Sequence, residues 1–169
     1  MKKKIFKTDK KETLKSKLTR VIFNFFPAYR RTGARVYFLS DDWHDIHITL
    51  GLSWKTKNYV GSVFGGCIYG ALDPMYMVQL INILGKDYVV WDKSATIKFL
   101  KPIKQNVYAR FLITNEILKD IISKVKSHQK YSIDLTTNFQ DENGIIYAEV
   151  VKTIYIADKE YYKTRKEKT

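Results

Sequence analysis

The chain has 169 residues, 45% of them hydrophobic and 14% aromatic. That suits one domain able to bury roughly two-thirds of its unfolded surface, and it excludes disorder throughout. A single cysteine, Cys67, excludes an intrachain disulfide and a cysteine-based zinc cluster, and fits a reducing, cytoplasmic setting.

Net charge is +13, and its location matters more than its size. Residues 1–35 hold 12 basic and 2 acidic side chains, residues 159–169 hold 5 and 2, and residues 36–158 hold 13 of each. The expected organisation is a basic N-terminal segment (1–34), a neutral globular body (35–157) and a basic C-terminal tail (158–169). Basic ends without groove-reading or stacking groups argue against a nucleic-acid partner. They read as solvated tails, or as tails that touch an anionic surface. The opening MKKKIFK lacks a following apolar run, so a secretory signal is not expected.

Asp9 and Glu12 have capping-box spacing, and Leu14, Leu18, Val21, Ile22 and Phe25 recur at helical intervals. Residues 10–26 are therefore expected to form an amphipathic helix stopped by Pro27. The ordinary outcome for such a helix is an apolar stripe packed on the core, with Lys11, Lys15, Lys17 and Arg20 in water. The alternative is weak association with a membrane surface, with Lys15, Lys17 and Arg20 at the headgroups and Phe25 and Phe26 at the acyl boundary.

Arg35–Leu39 reads as a strand, Asp41-Asp42 as a turn, and residues 46–54 as a half-buried alternating strand. Residues 58–64 form a loop. Residues 65–84 are apolar all round and read as one buried central helix ending at Gly85. Asp73, Pro74, Gln79 and Asn82 within it argue against a membrane span. Strand character follows at 88–91, 95–100, 107–113, 133–139 and 145–157, with an Asn143-Gly144 turn before the last. Short turns between strands imply an antiparallel sheet, and the central helix must pack against it, giving an α+β domain.

The informative segment runs from Asn58 through Gly61, Phe64, Gly65 and Gly66 to Asp73. It resembles the motif N-x-x-G-x-x-H-G-G, with an acid seven positions later, of hot-dog-fold thioesterases of the phenylacetic-acid-degradation (PaaI-like) type. Ile97–Pro102 is similar to that family's strand ending in Phe-Leu-Arg-Pro. The resemblance covers about 35–157 and looks closest to an uncharacterised subgroup known only as a domain of unknown function. It implies a hot-dog fold, a long helix wrapped by an antiparallel sheet, here with an extra N-terminal amphipathic helix. It also implies a homodimer, with a tetramer left open, acting on acyl thioesters such as acyl-CoA. Asp73 would be the base or nucleophile, the Gly65 and Gly66 amides the oxyanion hole, and Asn58 the group orienting substrate or water. Gly61, Phe64 and Lys101 would belong to the substrate-binding surround. No cofactor is expected, the CoA thioester being substrate, and no metal.

The chemistry stands beside the resemblance. Glycines opening a helix offer free amides at its positive end and allow close approach of a carbonyl. An acid inside an apolar helix must be paired, hydrogen-bonded or facing a cavity. Gly65 and Asp73 lie about 12 Å apart along one helix, so a shared site needs two chains with antiparallel helices. Two departures stand out. Phe64 occupies the usual His position and cannot donate a hydrogen bond. Pro74 follows Asp73, predicts a kink, and allows Asp73 to be merely the N-cap of a second helical segment. A non-catalytic acyl-thioester or lipid-binding dimer is the alternative function. Cys67 is expected to be buried and inert, and His44, His47 and His128 to hold no metal.

Overall fold

The computed structural model describes residues 5–166. Helices α1 (Leu14–Phe25) and α2 (Pro27–Arg31) lead into strands β1 (Arg35–Leu39) and β2 (Asp45–Leu50). Helices α3 (Gly65–Leu72) and α4 (Met75–Leu84) follow, then β3 (Tyr88–Phe99), β4 (Val107–Leu112), α5 (Asn115–His128), β5 (Lys130–Gln140), β6 (Ile146–Asp158) and α6 (Lys159–Lys166). The strands form one antiparallel sheet in the order β1-β2-β4-β5-β6-β3. This is the expected α+β hot-dog arrangement. β1 and β3 are its two edges.

The sheet is strongly paired on either side of a joint. β5, β6 and β3 form long ladders, whereas β4 and β5 meet in register only at Tyr108 and Gln140. There the Thr137 hydroxyl donates to the Arg110 carbonyl at 2.8 Å. The inner face is filled by Leu72, Met75, Tyr76 and Leu80 of α3–α4 against Ile48, Phe111, Phe139 and Ile154. Each large side chain buried this way contributes roughly 1.5–3 kcal/mol. Tyr76 and Gln79 hydrogen-bond to backbone carbonyls in this core, while Gln79 Oε1 is buried without a partner among the described residues. Tyr76 Oη donates to the Thr136 carbonyl at 2.7 Å, and Gln79 Nε2 donates to the carbonyls of Trp43 and Phe111 at 2.9 and 3.1 Å.

The structure corrects several expectations. The helix expected over 10–26 begins at Leu14, because Thr13 and Ser16 form the capping box in place of Asp9 and Glu12. Pro27 does end it, and serves as the first residue of α2. The expected single helix 65–84 is broken at Asp73-Pro74, where proline removes a helical N–H. Asp73 does not cap α4: its backbone is helical, and α4 has no side-chain cap. The second strand stops at Leu50, since Ser53–Lys57 turns on the Thr56 hydroxyl, which bonds the Ser53 amide and the Gly51 carbonyl. The expected strands at 88–91 and 95–100 are one strand, β3, with an irregularity at Lys93. The strands from 107 on are not all joined by short turns. α5 intervenes, capped by Thr114, with Ile121 and Val125 buried on the sheet. The C-terminal segment expected as a tail is helical over Lys159–Lys166.

Candidate active site

Asn58 sits at the start of the loop before α3 and organises it. Its Oδ1 accepts from the Ser62 amide and its Nδ2 donates to Ser62 Oγ, both at 2.9 Å. Gly61, between them, has φ +82°, a conformation that favours glycine. The loop delivers the chain to the N-terminus of α3. Among the described residues, the Gly65 and Gly66 amides donate to no other group. They are the orphan N–H groups that any helix start presents, and they lie at its positive end.

In front of them is a cleft of about 400 Å³ lined by Asn58, Ser62, Gly65, Phe99, Lys101 and neighbouring residues. The Phe99 ring closes on Gly65, where a Cβ would meet it at 3.3 Å. Phe64 does not line the cleft. Its ring folds back over the Cα of Gly66, and a Cβ there would collide with it. Gly61 also stays outside the lining, shaping the turn instead.

Asp73 lies at the far end of α3, away from this cleft. Its Oδ1 accepts from Lys152 Nζ at 3.0 Å, and the same ammonium lies 3.0 Å from Asp92 Oδ1. The Lys152 side chain is 1% exposed, while Asp73 is 42% exposed. The Lys152 ammonium also sits 5.6 Å over the Tyr69 ring. Burial works against the charged Lys152, but the hydrogen bonds and charges of Asp92 and Asp73 outweigh it, and its pKa is raised. Burial raises the pKa of Asp92, helped by the charge of Asp73 and offset by Lys152. Hydrogen bonding to Asp73 and burial push the Tyr69 phenol up. Asp73 is thus an accessible carboxylate held by a buried cation.

One chain therefore carries two half-sites: free amides in a cleft, and an anchored carboxylate. The residue pattern singled out Asn58, Gly61, Phe64, Gly65, Gly66, Lys101 and Asp73; the structure brings Asn58, Gly65 and Lys101 together in the cleft, sets Gly66 next to it, and leaves Gly61, Phe64 and Asp73 outside the lining. Ser62, Tyr69, Asp92, Phe99 and Lys152 were missed. Lys152 had a signal, since it falls in the inward register of β6 among Ala148, Val150, Ile154 and Ile156. Cys67 is partly buried rather than fully buried, and burial pushes its thiol up. His47 is buried against Asp45 at 3.0 Å, and no metal-binding cluster exists among the described residues.

The family model described as Domain of unknown function (DUF4442) matches residues 15–156. The chain belongs to this family. No curated protein matches it. Among solved structures, a Pseudomonas aeruginosa protein described as a probable thioesterase is 18% identical, with TM-score 0.73, covering 85% of this chain and 95% of that one. A Chlorobaculum tepidum protein of unknown function is 15% identical, with TM-score 0.66, covering 84% and 93%. A Haemophilus influenzae thioesterase is 13% identical, with TM-score 0.61, covering 88% and 93%. At these identities the likeness is one of fold. The DUF4442 match includes α1 as well as the sheet.

Proposed function

We propose that this DUF4442 protein hydrolyses acyl thioesters, acyl-CoA above all, at a site shared by two copies of the chain. The observation that carries this is the course of β3. Its Phe99 end lies on Gly65 and its Asp92 end on the Lys152–Asp73 pair, so this one edge strand spans both half-sites. Among the described residues, β3 is unpaired on its outer side. An antiparallel pair of β3 strands centred on Thr96, with the irregularity at Lys93 taking up one residue, sets Phe99 of one copy opposite Asp92 of the other. The free amides of one copy then face the carboxylate of its mate, as the length of α3 requires.

In that arrangement Asp73 removes a proton from water, whose oxygen attacks the thioester carbonyl. The Gly65 and Gly66 amides stabilise the oxyanion, the C–S bond breaks, and the proton passes to the departing thiolate. Lys152 holds Asp73 in place through its 3.0 Å hydrogen bond. Asn58, through Ser62, holds the loop that sets the amides in place. Lys101 lies at the cleft for an anionic part of the substrate. Phe64 favours a second reading: with no side-chain donor beside the amides, the same dimer would bind acyl thioesters without turning them over.

Hydrolysis of a panel of short, medium and aryl acyl-CoAs distinguishes the two. Turnover that Asp73→Asn abolishes supports the hydrolase. Binding without turnover supports the carrier. Mixing Asp73→Asn chains with Gly65→Val chains tests the shared site, since mixed dimers hold one intact site and regain activity that neither parent has.

A further inference from the structure

We propose that α1, α2 and the loop after β2 form a docking face for an anionic phospholipid bilayer, independent of the thioester site. The N-terminal helix does not pack its apolar stripe on the core, as amphipathic surface helices ordinarily do. Its buried side is Ser16, Phe23 and Asn24, and its stripe points to solvent: Leu18 is 60% exposed, Ile22 63% and Phe25 65%, with Leu14 and Val21 beside them. At 100° per residue these five fall within an arc of about 100°. Lys17 and Lys15 stand on either shoulder of that arc, both exposed. Apolar residues at the centre with cationic shoulders is the pattern of a helix lying in the membrane plane, where lysine stems cover apolar surface and ammonium groups reach the headgroups.

The surface continues beyond the helix. Phe26 is exposed, and the Arg30 guanidinium lies 5.7 Å over the Phe25 ring. Phe25 and Arg30 line a cleft of about 610 Å³ together with Arg35, Trp54 and Lys55. Trp54 is 86% exposed, and the Lys55 ammonium sits 5.1 Å over its ring. No carboxylate lines this cleft. Residues 13–40 contain six basic side chains and no acidic one. Of these, Arg20 is taken up by Glu12 at 2.6 Å and does not belong to the face. Exposed aromatics beside unopposed cations suit the interfacial zone of a bilayer, and the excess positive charge selects anionic lipid. A neutral protein partner would leave these cations uncompensated.

The test is co-sedimentation of the full chain with vesicles of phosphatidylcholine alone, or with about 30% phosphatidylglycerol. The expected result is binding to the anionic vesicles at about 0.1 M salt, and release near 1 M, where the Debye length is about 3 Å. Leu18→Asp/Phe25→Asp and Lys15→Glu/Lys17→Glu, checked for folding by thermal melting, should each weaken partition roughly tenfold or more, since each cation near the surface is worth about a fivefold factor. Lys119→Glu/Lys126→Glu on α5 carries the same charge change elsewhere and should bind as the parent does. The proposal is overturned if the full chain stays in solution with anionic vesicles, or if the α5 variant loses as much as the α1 variants. It is equally overturned if Leu18→Asp/Phe25→Asp still binds fully, which would leave only the basic termini. Should that variant instead halve the mass seen by light scattering, the occupant of the face is a second copy of the chain.

Discussion

At the scale of residues, two buried charge groups are built in opposite ways. Asp73 is half in water, so its pair with Lys152 contributes little to stability, of the order of 0–1 kcal/mol. Lys152 is enclosed, and removing it leaves Asp92 without its cation. Asp73→Asn should therefore abolish acyl-CoA hydrolysis while moving the urea midpoint only slightly, and Lys152→Met should cost about 3–5 kcal/mol in the same unfolding experiment. The second group is Asp45, buried between His47 at 3.0 Å and the Arg110 guanidinium at 2.8–2.9 Å. Burial alone would raise the pKa of Asp45, but hydrogen bonds from His47, Arg110 and Thr8 hold it well below the usual carboxylate range. A depressed carboxylate stabilises the fold fully above its unfolded pKa, near 4, and loses that contribution as pH falls toward the folded value. Urea unfolding at about pH 7, 4 and 2.5 should show the parent losing stability across the acid range. Asp45→Asn should be less stable at neutral pH and flatter with pH. Asp73 was legible in the sequence because an acid inside an apolar helix demands a partner. Its partner was legible only by counting the register of β6. Asp45 was not, because alternation along β2 does not reveal that both faces of that strand are covered.

At the scale of elements, the strands and the two-part central helix follow from apolar period and from proline. α5 was equally written in the chain, in Thr114 as cap and in Ile117, Ile121 and Val125 at helical spacing, but a reading of strands at 107–113 and 133–139 joined by a short turn passes over the residues between them. Thr114 Oγ1 accepts from the Ile117 amide at 3.3 Å. Thr114→Ala should lower unfolding stability by about 1 kcal/mol with little effect on hydrolysis, which measures how far α5 is a supporting element only. The outward stripe of α1 was not legible. Amphipathic periodicity gives a face and says nothing of what that face meets. What decides it is Asn24, on the inward side, whose Nδ2 donates to the Val36 carbonyl and whose Oδ1 accepts from the Val36 amide, both at 2.8 Å. That pair fixes the helix on the edge of β1 and turns its leucines away.

At the scale of the whole molecule, the proposed dimer puts like positions of β3 opposite one another near its centre. Thr96 is exposed there, and Thr96→Asp would set two carboxylates face to face across the two-fold. Light scattering should then report a monomer at micromolar concentration, and acyl-CoA hydrolysis should vanish with the dimer. A monomer that retains full activity would refute the shared site.

The Asn24 amide also sets the valence of the chain as an assembly unit. An antiparallel sheet with two open edges has valence two and grows into a ribbon. Here the side chain of Asn24 occupies Val36 as the backbone of a neighbouring strand would, while β3 is left open. With one edge shut, growth by edge pairing terminates at two copies. Asn24→Leu reopens the Val36 groups, and its expected outcome is a scattering mass that climbs with protein concentration instead of levelling off. A single carboxamide would then be what separates a closed particle from a filament.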